Sequence, residues 1–144
     1  MQSKLKFNKI AIIGLGLIGS SIALAIKKHK IAKSVSGYAK SLKTRQIAKK
    51  IKLASKVESS LEAAVKNADL VILSVPLSSY KEILLEGKDY FKDNTIITDT
   101  GSVKNEINTI FENLNLKNIF WIASHPIAGT EQSGPKAGFK ELFK

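Results

Sequence analysis

His125 is the side chain in this sequence best suited to moving a proton. It stands in "SHPIAGTE" (Ser124 to Glu131), where an apolar run gives way to proline and glycine. A neutral imidazole, with an unperturbed pKa of about 6.5, can take a proton from an alcohol while hydride leaves the same carbon. Ser102, in "DTGSVK" (Asp99 to Lys104), is the hydroxyl expected to hold that imidazole if the two loops meet at one edge of a sheet. The serine has a second use, because at a strand-to-helix junction it would equally serve to cap the next helix. The other histidine, His29, sits among Lys27, Lys28 and Lys30, where positive charge complements a helix C-terminus.

A hydride needs an acceptor, and "GLGLIG" offers a place for one. It sets Gly14, Gly16 and Gly19 in the G-x-G-x-x-G spacing, directly after an apolar run and at the start of a helical pattern. In that context the first glycine makes the turn, the second admits a pyrophosphate, and the third lets helix and strand pack closely. Gly14, Gly16, Leu17, Ile18 and Gly19 are therefore expected to receive a dinucleotide on the free N–H groups of the helix. An acidic residue about twenty positions further on would bind the ribose hydroxyls of NAD. Ala39 stands there instead, within "GYAKSLKTR", with Lys40, Ser41, Thr44 and Arg45 just after it. That set suits a 2′-phosphate, so the coenzyme expected is NADP or NAD, leaning to NADP. The same residues would also make the polar start of a solvated helix.

The elements that must position these groups alternate along the chain. "KIAIIG" is a short apolar run of the kind buried on both faces of a parallel sheet. Ile18, Ile22, Ala25 and Ile26 then recur at helical spacing. "SVSGY" predicts a second strand, "SLKTRQIAKKIK" a helix and "LEAAVKN" a short one. "DLVILSVP" predicts a strand stopped by Pro76, and "SSYKEILLEG" a helix opened by a capping box from Ser79 to Glu82 and closed at Gly87. "NTIITDTG", "SVKNEINTIFENL" and "NIFWIAS" complete a strand, helix, strand series, with Trp121 as a packing residue. The prediction is an α/β domain with a doubly wound parallel sheet of about six strands, of the Rossmann type. Ligands of such sheets bind beyond the carboxyl ends of the strands, so Val75, Pro76 and Asp99 join the expected coenzyme site, and Ala39, Lys40, Ser41 and Arg45 form its adenosine end.

Composition narrows the function classes. The chain has 144 residues, 44% hydrophobic and 24% charged, enough for one folded domain. It has no cysteine, hence no disulfide framework and no thiolate metal site, which fits a cytoplasmic protein. No apolar run approaches the roughly 18 residues that span a bilayer, and no targeting segment is evident. The net charge of +11 comes from lysines spread along the chain, with Arg45 the one arginine. Dispersed lysines read as solvated faces, with steering of an anionic substrate as a further use. Nucleic-acid binding, which favours arginine, is not expected, and neither a membrane nor a metal is assigned.

Four segments taken together resemble a known family. "GLGLIGSS", "ADLVILSVP", "TDTGSVK" and above all "SHPIAGTEQSGP" are similar, in order, to the prephenate and arogenate dehydrogenases of tyrosine biosynthesis. The resemblance implies an oxidoreductase that oxidatively decarboxylates prephenate to 4-hydroxyphenylpyruvate, or arogenate to tyrosine. It implies His125 as the base on the ring C4 hydroxyl and Ser102 as the contact to both that hydroxyl and the imidazole. Thr130 and Glu131 match the segment lining the substrate pocket. It also implies a small-molecule substrate, a homodimer in the full-length family, and a helical second domain that helps hold the substrate. On this expectation residues 1–144 are a dinucleotide-binding domain, incomplete at its C-terminus relative to the family. Two alternatives stay open: a non-catalytic or split-subunit NAD(P)-binding fragment, and a β-hydroxyacid-type dehydrogenase. The second shares the glycine turn but gives His125 no part.

Overall fold

The computed structural model describes residues 6–127 and 132–143. Its order is β1 (Phe7–Ile13), α1 (Leu17–Lys28), β2 (Ala32–Tyr38), α2 (Leu42–Lys50), β3 (Lys56–Val57), α3 (Leu61–Val65) and β4 (Leu70–Leu73). A 3₁₀ turn (Leu77–Ser79) runs into α4 (Tyr80–Gly87), followed by β5 (Thr95–Asp99), α5 (Lys104–Leu114), β6 (Ile119–Ile122) and a second 3₁₀ turn (Pro135–Ala137). The strands form one sheet in the order β3-β2-β1-β4-β5-β6, and every pairing is parallel.

Two apolar layers explain why the central strands are continuous hydrophobic runs. Ile10 and Ile12 of β1 face Ala23, Ile26 and Ala48 of α1 and α2, while Ala11 and Ile13 face the opposite layer with Leu84, Ile107 and Phe111 of α4 and α5. Each fully buried Ile or Leu contributes roughly 1.5–3 kcal/mol, so both layers hold the sheet. Trp121 stacks on Phe111 with ring centroids 3.8 Å apart, and its Nε1 donates to Asn108 Oδ1 at 2.9 Å. It is a packing residue, as the sequence predicted. Phe120 and Ile122, its alternating neighbours on β6, are exposed.

Strand order reverses between β1 and β4, and the loops leaving their carboxyl ends diverge to opposite faces of the sheet. That divergence opens the crevice in which such folds bind ligands. The two-residue β3 escaped the sequence pattern, being too short to show a period. The capping box at Ser79 does not form: Ser79 has helical backbone angles and its side chain makes no cap bond. The preceding 3₁₀ turn already carries the chain into the helix, so the first amides of α4 do not need that hydroxyl.

Candidate active site

The glycine turn is built by contact as much as by conformation. Gly14 has φ +100°, a region open chiefly to glycine, and a Cβ there would lie 2.1 Å from the Ser74 carbonyl oxygen. A Cβ on Gly19 would lie 2.0 Å from the Gly14 oxygen. These two positions lock β1, β4 and α1 together. Gly16 differs, because a Cβ there would meet nothing within 4 Å. It faces a cavity of about 320 Å³ lined also by Gly14, Leu15, Ala39, Lys40, Ser41, Thr44, Val75 and Pro76. Gly16 caps α1 without a side-chain bond and the first turn holds no acid, so its amides are open to an anion. The space a Cβ at Gly16 would enter, together with those amides, fits the pyrophosphate of a dinucleotide.

The residues expected at the adenosine end are only partly assembled there. Ala39, Lys40 and Ser41 line the cavity. The Ser41 Oγ accepts the Thr44 amide at 3.2 Å, capping α2, and Lys40 Nζ lies 3.1 Å from Glu82 Oε1. Arg45 does not line the cavity. Its Nη1 donates to the carbonyls of Ala39 (2.7 Å) and Lys40 (2.9 Å), and its guanidinium lies over the Tyr38 ring. Its guanidinium is engaged by its own loop rather than by the cavity.

Sequence reasoning missed Gly134, which lines the same cavity. The stretch from Gly134 onward packs across α1: Pro135 and Ala137 are buried, and the Phe139 amide donates to Ser21 Oγ at 3.0 Å. The hints were the G-P dipeptide and a second glycine four residues on, Gly138, whose Cβ would lie 2.5 Å from Ser20 Cβ. "SHPIAGTEQSGP" therefore serves two places: His125 and Pro126 at one cavity, Gly134 at another.

His125 and Ser102 line one further cavity, of about 330 Å³, with Ile18, Val75, Pro76, Thr100 and Gly101. Val75 and Pro76 belong to both cavities, so the two share a wall. Both His125 and Ser102 are exposed. Ser102 does not cap the helix: α5 begins at Lys104, Val103 holds the cap position and no side-chain cap bond forms. Its hydroxyl is left to the cavity. Leu17 lies in the first turn of α1, beside the glycine turn, while Ile18 faces the His125 cavity. Thr130 and Glu131 lie outside the described residues.

Asp99, expected to touch the coenzyme, lines neither of these two cavities. Its carboxylate is wholly buried and is taken up by Lys104, Tyr80 and the amides of Gly101 and Ser124. Burial, reinforced by the charge and hydrogen bond of Asp99, pushes the Tyr80 hydroxyl far above the usual phenol range, so it remains a donor. A larger cavity, about 500 Å³, lies at the C-terminal ends of α1 and α2 among Lys27, Lys49, Lys52 and Lys56. It is far from the glycine turn and holds no histidine or serine pair, so its size does not make it the site of chemistry.

Comparison with known proteins adds to this geometry. Residues 22–144 match the family model described as prephenate dehydrogenase, nucleotide-binding domain. The chain is 44% identical over 138 residues to the cyclohexadienyl dehydrogenase of Zymomonas mobilis, an alignment covering 96% of this chain and 47% of that protein. It is 40% identical over 141 residues to the prephenate dehydrogenase of Lactococcus lactis, covering 94% of this chain and 38% of the relative. The chain thus spans less than half the length of these curated relatives. Among solved structures, prephenate dehydrogenase from A. aeolicus in complex with hydroxyphenyl propionate and NAD+ superposes with a TM-score of 0.86 at 26% identity, over 99% of this chain and 49% of that one. A parallel Rossmann-type sheet, a nucleotide cradle at Gly16 and these matches lead to one assignment: the chain belongs to the prephenate dehydrogenase family and carries its nucleotide-binding domain.

Proposed function

We propose that this domain is the coenzyme-binding half of an NAD(P)-dependent dehydrogenase that oxidatively decarboxylates prephenate or arogenate. The observation that carries the proposal is the shared wall: Val75 and Pro76 line both the cavity at the glycine turn and the cavity holding His125 and Ser102. The amides at the start of α1 would hold the dinucleotide on one side of that wall, with His125 on the other. The bound nicotinamide would supply the hydride acceptor. His125 takes the proton of the substrate's C4 hydroxyl, and Ser102 holds both that hydroxyl and the imidazole. As hydride leaves C4 and the proton leaves its hydroxyl oxygen, the ring carboxylate departs as CO₂, its bonding electrons enter the ring and the ring becomes aromatic. The residues mainly align the partners and accept one proton, which is where positioning and general-base catalysis contribute most. Thr130 and Glu131 belong to the substrate side of the same proposal.

The absence of an acid at Ala39, with Lys40 and Ser41 on the cavity wall, supports NADP as the preferred coenzyme. The proposal extends to a homodimeric, cytoplasmic enzyme of tyrosine biosynthesis. In the intact enzyme, His125→Ala should cut turnover of prephenate or arogenate by roughly 10² to 10⁴ while leaving coenzyme affinity in place, as loss of a general base requires. Steady-state kinetics beside coenzyme titration reads both. Unchanged turnover refutes the assignment of His125.

A further inference from the structure

We propose that Asp99 is a positioning residue for the Ser102 and His125 pair, acting from beneath the site as one anion shared by the loops that carry them. The inference rests on the proposed role of His125. Asp99 closes β5 and its side chain is fully buried. Lys104 Nζ lies 2.7 Å from each carboxylate oxygen. Oδ2 also accepts the Gly101 amide at 2.9 Å and the Tyr80 hydroxyl at 3.1 Å, while Oδ1 accepts the Ser124 amide at 3.2 Å. The Ser124 hydroxyl donates to the main-chain oxygen of Asp99. Ser102 follows Gly101, and His125 follows Ser124.

A buried carboxylate is costly unless it is paired, and Lys104 supplies the pair. An ion pair alone would not need the other donors. Two of them are main-chain amides, each one residue before a member of the proposed pair. A Cβ on Gly101 would lie 3.0 Å from both Asp99 Oδ2 and Tyr80 Oη, so the Ser102 loop rests directly on the carboxylate. Tyr80, from α4, blocks rotation on the remaining side. One rigid group therefore sets where both loops leave the sheet, and with it the separation of serine and imidazole. Errors of about 1 Å in such alignment can cost on the order of 10² in rate.

The test uses Asp99→Asn in the intact enzyme. The amide keeps the shape but points N–H donors at donors. Turnover should fall roughly 10- to 100-fold with coenzyme affinity within about threefold, and the double variant with His125→Ala should be no slower than His125→Ala alone. Losses that multiply, or coenzyme affinity falling in step with turnover, would overturn the proposal in favour of a purely structural ion pair. If Asp99→Asn does not fold, Tyr80→Phe removes one donor to the carboxylate, and should lower turnover several-fold with KM for coenzyme unchanged; wild-type turnover would overturn the proposal. If the wild-type enzyme oxidises neither acid, the catalytic proposal fails separately. The imidazole NMR signal of His125 then decides: it should move in either variant while that of His29 stays, and an unmoved His125 signal sinks the inference.

Discussion

At the scale of single residues, the sequence picked out candidate groups but could not say which way they face. Ser102 had two uses open to it, cap or site. The structure leaves it to the cavity because Val103, not Ser102, occupies the cap position of α5. Asp99 and Arg45 turn the other way: both were expected to touch the coenzyme, and both are engaged by neighbours within the protein. Lys40 is the cation left at the adenosine end, with a side chain 84% exposed and only a solvated partner in Glu82. Such a surface pair is weak and can be exchanged for a phosphate. Lys40→Asp should therefore weaken NADP by roughly tenfold, about 1.4 kcal/mol, while NAD changes by less than about twofold. Fluorescence titration with each coenzyme measures this, and equal losses would show that no 2′-phosphate is read.

At the scale of elements, the turn from β1 into α1 separates two jobs that the glycine spacing presents as one. Gly14 is needed by the fold: its φ is positive and the Ser74 carbonyl leaves no room for a methyl group. Gly16 is needed by the ligand, since nothing of the protein lies where its Cβ would go. Gly14→Ala should destabilise the domain by about 2–4 kcal/mol through strain and overlap. Gly16→Ala should leave the melting temperature nearly unchanged and weaken coenzyme binding by at least about tenfold, since the methyl group enters the space a pyrophosphate would take. Thermal unfolding beside coenzyme titration separates the two, and a Gly16→Ala protein that binds normally would remove the cradle from the argument. Periodicity found α5 for a physical reason, because Ile107 and Phe111 bury one stripe; in α1 only Ile26 of the four expected positions is buried, and the small residues Gly19, Ser20, Ser21 and Ala23 make the close approach instead. It failed at β3 and at the 3₁₀ turn before α4, which are too short to show a stripe.

At the scale of the whole molecule, the two ends of the sheet do different work. The carboxyl ends carry the glycine-turn cavity and the His125 cavity, whereas the amino ends are tied by Asp69. Its carboxylate accepts the amides of Asn8 (2.6 Å) and Lys9 (3.1 Å) and pairs with Lys92, joining β1 and β4 to the approach of β5. Burial opposes ionisation, but the Lys92 bond and the two amides outweigh it and hold the carboxyl below its ordinary value. A carboxyl depressed in the folded state stabilises above its unfolded pKa of about 4, and that stability is lost as pH falls through the lower folded value. Asp69→Asn should cost about 2 kcal/mol at pH 7 and progressively less as the pH is lowered below about 4, as judged by denaturant unfolding across that range. A cost independent of pH would show that the charge is not involved. The sequence by itself determined the class of fold and the glycine turn, and it singled out His125 as a candidate base, because strand and helix periods and a fixed spacing are local properties. Only the tertiary structure decided that Gly134 closes on the coenzyme cavity, that Arg45 faces its own loop and that Asp99 lies under the site. Those outcomes depend on which loops the strand order brings together, and contacts between residues as distant as Asp99 and Ser124 leave no period in the chain.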